Sequence, residues 1–293
     1  MILRGAFTAL STPFRDGAVD EATYRDFIEW QIDQGIDGLV PCGTTGEAAT
    51  LSHEEQGRII RICVDQVRRR VPVIAGAGSN STREAIELTR LAKEAGADAT
   101  LQITPYYNKP TPEGLIAHFK AIAAEVSIPM VIYNVPGRTG LNLLPPDLKR
   151  IVDAVPQAIA VKEATGNMCQ AAEVIECCGK SFQLLSGDDF TVLPLLAVGG
   201  QGVISVVSNI MPKTMSDMCR LFMEKDHDGA LNLSLKMAPV NRAMFVETNP
   251  IPVKTSLKLM GIFPTAEFRL PIVPLRDENL PRLEAVLKDA GLI

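Results

Sequence analysis

An apolar run, Ala158-Ile159-Ala160-Val161, ends in Lys162 and continues as Glu163-Ala164-Thr165-Gly166. A strand that is apolar at every position is buried on both faces, as in the parallel sheets of α/β proteins. An ammonium at its tip loses hydration, which lowers a lysine pKa toward neutrality. The neutral amine is a nucleophile for ketones, the chemistry of Schiff-base enzymes. A second strand-and-tip segment, Pro129 to Gly140, brings the phenol of Tyr133 and the guanidinium of Arg138 to the same kind of position. Together these groups point to a lysine-dependent aldol reaction. Lys254 is the rival lysine, in Asn249-Pro250-Ile251-Pro252-Val253-Lys254. Two prolines there remove ladder donors and argue against a central strand.

Other strand tips offer Thr44-Thr45, Tyr106-Tyr107 and Gly187. The glycines of Gly43-Thr44-Thr45-Gly46-Glu47 allow a tight loop whose amides can face an anion. It lacks the Gly-Lys-Ser/Thr ending of a phosphate-binding P-loop, so a plain strand-to-helix turn is the alternative. The three histidines, His53, His118 and His227, have no metal-ligand spacing, so no metal is expected. Six cysteines without a CxxC pair fit a reducing cytoplasm.

These residues need a scaffold, and the chain alternates short apolar runs with helical patterns. The runs are Gly5–Leu10, Gly38–Cys42, Val73–Ala77, Ala99–Thr104, Met130–Asn134, Ala158–Lys162, Phe182–Ser186 and Gly202–Val206. Between them lie amphipathic segments at Glu21–Gln34, Glu54–Arg69, Arg83–Glu94, Pro112–Glu125 and Pro146–Ala154. Ser52-x-x-Glu55 and Ser81-x-x-Glu84 read as capping boxes, Thr111-Pro112 as a cap with proline at the first helical position. Gly35 and Gly96 sit where helices should stop. Eight strand–helix units predict a (β/α)₈ barrel over residues 1–224, since barrels of this type take ~250 residues. From 225 to 293 the alternation stops and helical periodicity with frequent prolines predicts a small helical extension.

The chain has 293 residues, 46% hydrophobic, and a net charge of −5. That charge gives no electrostatic footprint for nucleic acid. Arg68-Arg69-Arg70 reads as a solvated face at a helix end. No signal peptide and no apolar stretch of the ~18 residues that a membrane helix needs are expected.

Five segments carry a resemblance: Gly43 to Glu47, Thr104-Pro105-Tyr106-Tyr107-Asn108, Tyr133 to Gly140, Lys162 to Gly166, and Leu185-Ser186-Gly187-Asp188-Asp189. They resemble the dihydrodipicolinate synthase family of pyruvate-dependent class I aldolases, and the likeness extends through Phe245 to Lys254 in the helical tail. Arg138, in its Val-Pro-Gly-Arg-Thr setting, separates that family from the wider superfamily with N-acetylneuraminate lyase. The resemblance implies condensation of pyruvate with L-aspartate-4-semialdehyde, in the biosynthesis of diaminopimelate and lysine, with no external cofactor. It implies that Lys162 forms the imine and that Tyr133, Thr44 and Tyr107 relay protons. Thr45 would hold the pyruvate carboxylate and Arg138 that of the semialdehyde, with backbone contacts from Gly187 and Ile204. Tyr107 would reach a neighbouring subunit, which implies a homotetramer built as two dimers. Family members inhibited by lysine bind it at positions matching Ala48, Ala49, His53, Gln56, Asn80, Glu84 and Tyr106. Other readings are a sugar-acid lyase of the same superfamily, or a non-catalytic barrel, whose signature would be loss of Lys162 or Tyr133.

Overall fold

Eight strands carry the apolar runs: β1 Gly5–Ala9, β2 Gly38–Val40, β3 Ile74–Gly76, β4 Ala99–Ile103, β5 Met130–Asn134, β6 Ala158–Glu163, β7 Gln183–Ser186 and β8 Gly202–Ser205. The computed structural model describes residues 1–293. The strands pair in parallel in the order β2-β1-β8-β7-β6-β5-β4-β3. A single bridge, Leu39 to Val73, brings the two ends together and closes the barrel. Side chains alternate across the wall, as strand geometry requires. Val131 and Tyr133 of β5, Ala160 of β6, Leu185 of β7 and Ile204 of β8 share the inner core. Met130, Ile132, Ala158, Val161 and Leu184 instead pack outward, among Leu115, Phe119 and Ile151 of the helices.

Helices α1 Glu21–Asp33, α2 His53–Val67, α3 Thr82–Glu94, α4 Pro112–Glu125, α5 Pro145–Ala154, α6 Met168–Cys178, α7 Val192–Ala197 and α8 Pro212–Met223 follow the successive strands. Ser52 and Glu55 form a complete capping box on α2. Thr111 accepts from Gly114 N ahead of α4, and Gly35 and Gly96 take positive φ past α1 and α3. The expected box on α3 is only half formed. Ser81 Oγ accepts from Glu84 N, but the Glu84 carboxylate turns to His53 and Ser79, and Ser81 N donates to Ser79 Oγ instead. Arg70 is not merely solvated either, since it makes a two-pronged contact with Glu29 of α1 at 2.8 Å on each side.

Several expected strands run on past the ladder. Leu10, Cys42, Ala77, Thr104 and Val206 leave it where the chain turns toward the next helix, Cys42 with φ of 56°. Conversely β6 continues to Glu163. A two-residue hairpin, Phe14–Arg15 with Ala18–Val19, and a short helical turn, Pro136–Thr139, were too brief to show periodicity. After α8 come α9 His227–Ala243, α10 Ile251–Leu259 and α11 Leu280–Asp289. Their apolar residues Met237, Val240, Leu257, Leu283 and Leu287, with Phe263 just after α10, join one core with Tyr24, Phe27, Ile59 and Met215 of the barrel helices.

Candidate active site

In this fold the carboxyl ends of the strands and their following loops form one face. Lys162 follows Ala160 by two on β6, so it points into the barrel as Ala160 does. In register it lies beside Tyr133 of β5, and its Nζ sits 4.3 Å from the centroid of the Tyr133 ring. Both side chains are buried. Burial lowers the lysine to about 7; Asp189 opposes that shift and the Arg138 charge reinforces it. Burial pushes the Tyr133 phenol up to about 12, against the pull of Arg138 and a hydrogen bond from Thr44. The pair therefore combines an amine neutral for much of its population near pH 7 with a phenol that keeps its proton.

The groups behind Lys162 are fixed by hydrogen bonds. Glu163 faces the opposite side of β6, where Oε2 accepts from Asn134 Nδ2 at 3.0 Å and Gln170 Nε2 at 3.2 Å. Its Oε1 accepts from Thr165 N at 2.7 Å. Asp189 accepts from Ser205 Oγ at 2.5 Å and from the amides of Val206 and Val207 at 3.0 and 3.1 Å. Those bonds tie the end of β7 to the end of β8. Gly187 must lack a side chain: a Cβ there would meet Lys162 Cε at 3.0 Å and the Ala164 methyl at 2.6 Å.

Lys162, Tyr133, Thr44, Thr45, Arg138 and Gly187 line one cavity of about 350 Å³, a size suited to a small ligand. Arg138 sits on the short turn after β5 and donates from Nη2 to the Asn249 carbonyl at 3.3 Å. Ile204 is buried in the inner core and is not among the residues that line this cavity. Tyr107 is not part of it. It stands 91% exposed on the loop after β4, with φ of 68°. Lys254, the rival lysine, is a helical residue of α10 and fully buried. The charges present can hold a carboxylate, and the described residues contain no group of His, Cys, Asp and Glu able to hold a metal ion.

A second cavity of about 390 Å³ adjoins the first through Thr44, Tyr133 and Arg138. Ala49, His53, Glu84 and Tyr106 line its far end. His53 Nε2 lies 2.8 Å from Glu84 Oε1, and Asn80 donates to the Tyr106 carbonyl at 3.2 Å. A hydrogen bond from Ser79 holds the Glu84 carboxyl below its usual range, with His53 adding to the effect. Gln56 is turned inward and donates to the Ala48 carbonyl at 3.2 Å.

Comparison with known proteins places this geometry. The model of the dihydrodipicolinate synthetase family matches residues 2–290. The chain belongs to that family. A 4-hydroxy-tetrahydrodipicolinate synthase from Maridesulfovibrio salexigens is 65% identical over all of both chains. Among solved structures, the chloride-inhibited dihydrodipicolinate synthase from Acinetobacter baumannii, complexed with pyruvate, is 45% identical with a TM-score of 0.97 over 100% of both chains. The family enzyme from Cyanidioschyzon merolae, with lysine bound, is 38% identical with a TM-score of 0.95 over 99% of each.

Three groups near the family's cavity escaped sequence reasoning. Asn249 was read only as part of a proline-rich stretch, yet its amide donates to Thr45 Oγ1 at 3.0 Å. Glu47 and Lys254 were seen apart and are 2.6 Å from each other. Asp189 was visible only within a motif. No local signal marks a contact between residues 200 positions apart.

Proposed function

We propose that this chain condenses pyruvate with L-aspartate-4-semialdehyde to give 4-hydroxy-tetrahydrodipicolinate, a lyase-type aldol step in lysine and diaminopimelate biosynthesis. The observation that carries the reading is Lys162, lowered to about 7 by burial and sharing one cavity with Tyr133 and Arg138. The neutral amine adds to the keto carbon, and loss of water gives an imine. Once protonated, the imine draws electrons, so a methyl proton leaves and an enamine forms. The enamine carbon adds to the aldehyde. The substrate's own amine then displaces Lys162, closing the ring and freeing the lysine.

Tyr133, with its raised pKa, is suited to carry protons to and from the reacting atoms, and Thr44 can pass them on because a hydroxyl both donates and accepts. The Thr45 hydroxyl suits the pyruvate carboxylate, with main-chain contacts from Gly187 and Ile204. Arg138 offers a planar fork to the second carboxylate. Tyr107 completes the relay in this proposal by entering the cavity of a second copy, in a tetramer of two dimers. Its exposure supports that placement. A cytoplasmic setting belongs to the same proposal.

Feedback inhibition by lysine is a second part of the reading, favoured by the charged Glu84 at the end of the larger cavity. Ala49, His53, Asn80 and Tyr106 would share in holding the amino acid. An activity curve flat up to millimolar lysine would reject it.

The main test follows turnover of both substrates through a coupled reductase, with borohydride trapping of the pyruvate adduct on Lys162. Turnover with trapping supports the synthase. Trapping without turnover moves the search to another aldehyde, and no trapping sinks the mechanism. Replacing Arg138 with Lys should leave trapping largely intact while weakening use of the semialdehyde; equal loss of pyruvate binding would contradict the division of labour.

A further inference from the structure

Buried charges beside the cavity have no part in the chemistry just described. Lys254 Nζ lies 2.6 Å from Glu47 Oε1 and 4.1 Å from the Phe14 ring centroid, and the whole side chain is shielded from solvent. Glu47 closes the Gly43–Glu47 loop in left-handed backbone, φ 56°, and its other oxygen accepts the Arg269 N–H at 3.2 Å. On the same tail segment, Asn249 touches both carboxylate-binding groups. Its side-chain amide donates to Thr45 Oγ1, and its main-chain carbonyl accepts from Arg138 Nη2. The Asn249 Oδ1 is buried and has no partner. The bond to Thr45 is thus the only hydrogen bond of the Asn249 side chain.

We infer that the segment from Asn249 to Lys254 is a clamp on the keto-acid loop, with Asn249, Glu47 and Lys254 as positioning residues. The inference rests on the proposed function, because the carboxylate in question is that of pyruvate. A hydroxyl has one proton. With its oxygen accepting from Asn249, Thr45 keeps that proton for the substrate carboxylate. At the far end of the loop the Glu47–Lys254 pair prevents the backbone from relaxing out of its left-handed turn. A buried pair of this kind adds little net stability after desolvation, and in this proposal its part is to fix the loop geometry.

The test compares Asn249→Ala, Asn249→Asp and Thr45→Val with the wild type. Pyruvate dependence is read by borohydride trapping on Lys162, and steady-state kinetics give a KM for each substrate. Loss of the hydrogen bond that orients the Thr45 hydroxyl predicts a pyruvate KM raised about tenfold in Asn249→Ala, with the semialdehyde KM within about twofold. Asn249→Asp keeps the shape but should be worse, about a hundredfold. Its carboxylate would accept the Thr45 hydroxyl hydrogen bond, turning that donor away from the substrate, and would repel the substrate's charge. Thr45→Val should match Asn249→Ala, and the two combined should be no worse than Thr45→Val alone. The charge-balanced double variant Glu47→Gln with Lys254→Met should raise the pyruvate KM selectively as well.

An Asn249→Asp milder than Asn249→Ala, or equal rises in both KM values, would overturn the clamp and leave Asn249 as a space-filling residue. If Asn249→Ala does not fold, the near-isosteric Asn249→Asp set against Thr45→Val decides the matter. Wild-type protein that traps no pyruvate overturns the proposed function itself. Wild-type trapping with unchanged pyruvate dependence in the variants overturns only this inference.

Discussion

Lys162 holds its amine against a steep opposing preference for charge. A lysine at 10.5 in the unfolded chain and about 7 in the folded one binds fewer protons when folded across that window. Stability therefore rises with pH between about 7 and 10.5, and the full cost is present below 7, on the order of a few kcal/mol. Lys162→Met should abolish pyruvate trapping and yet melt about 5 °C higher at pH 6, the gap closing as pH approaches 10.5. A variant melting at or below the wild type at pH 6 would mean that burial of Lys162 carries no such cost. In the wild type the trapping rate should climb as pH rises through about 7, following the neutral amine.

Among the elements, the barrel was legible because its strands are short, mostly apolar runs buried on both faces, separated by helical patterns. Lys162 and Tyr133 were legible as strand-tip residues, and the structure turns both inward, in register with each other. Strand ends were less legible, since Cys42 and Val206 are as apolar as the ladder they have left. The tail was read as helical, but its attachment was hidden because the partners lie so far away in the chain. Arg269 shows this well. It grips Glu55 of α2 by both oxygens, at 2.8 and 2.6 Å, bonds the Thr50 and Gly17 carbonyls, and lies 4.5 Å over the Phe14 ring. Hydrogen bonding to Arg269 is the main reason that the Glu55 carboxyl falls to about 2. Such a depressed carboxylate contributes stability that is present above its ordinary 4.5 and lost as pH falls toward 2. Arg269→Ala should cost about 2 kcal/mol in urea unfolding at pH 7, and the gap from the wild type should shrink between pH 4.5 and 2. A gap independent of pH would assign the loss to packing on Phe14 instead.

For the whole molecule, the shared core argues that barrel and tail stand or fall together. Phe263 meets Phe27 of α1 edge-on, ring centroids 5.1 Å apart, and Leu257, Leu283 and Leu287 are fully buried. Each large apolar side chain is worth about 1.5–3 kcal/mol when buried, and a domain's net stability is only about 5–15 kcal/mol. A chain cut after Glu224 should therefore fail to fold, shown by far-ultraviolet circular dichroism without native helix content. The intact chain should unfold in one calorimetric transition; two separated transitions would show independent units. The reach of the tail to Thr45 and Glu47 also bears on synthesis. The Gly43–Glu47 loop leaves the ribosome early and Asn249 and Lys254 late, so a chain stopped before residue 249 lacks these contacts. A message cut short before that point therefore specifies a Thr45 hydroxyl and a Glu47 carboxylate with no partner from the tail.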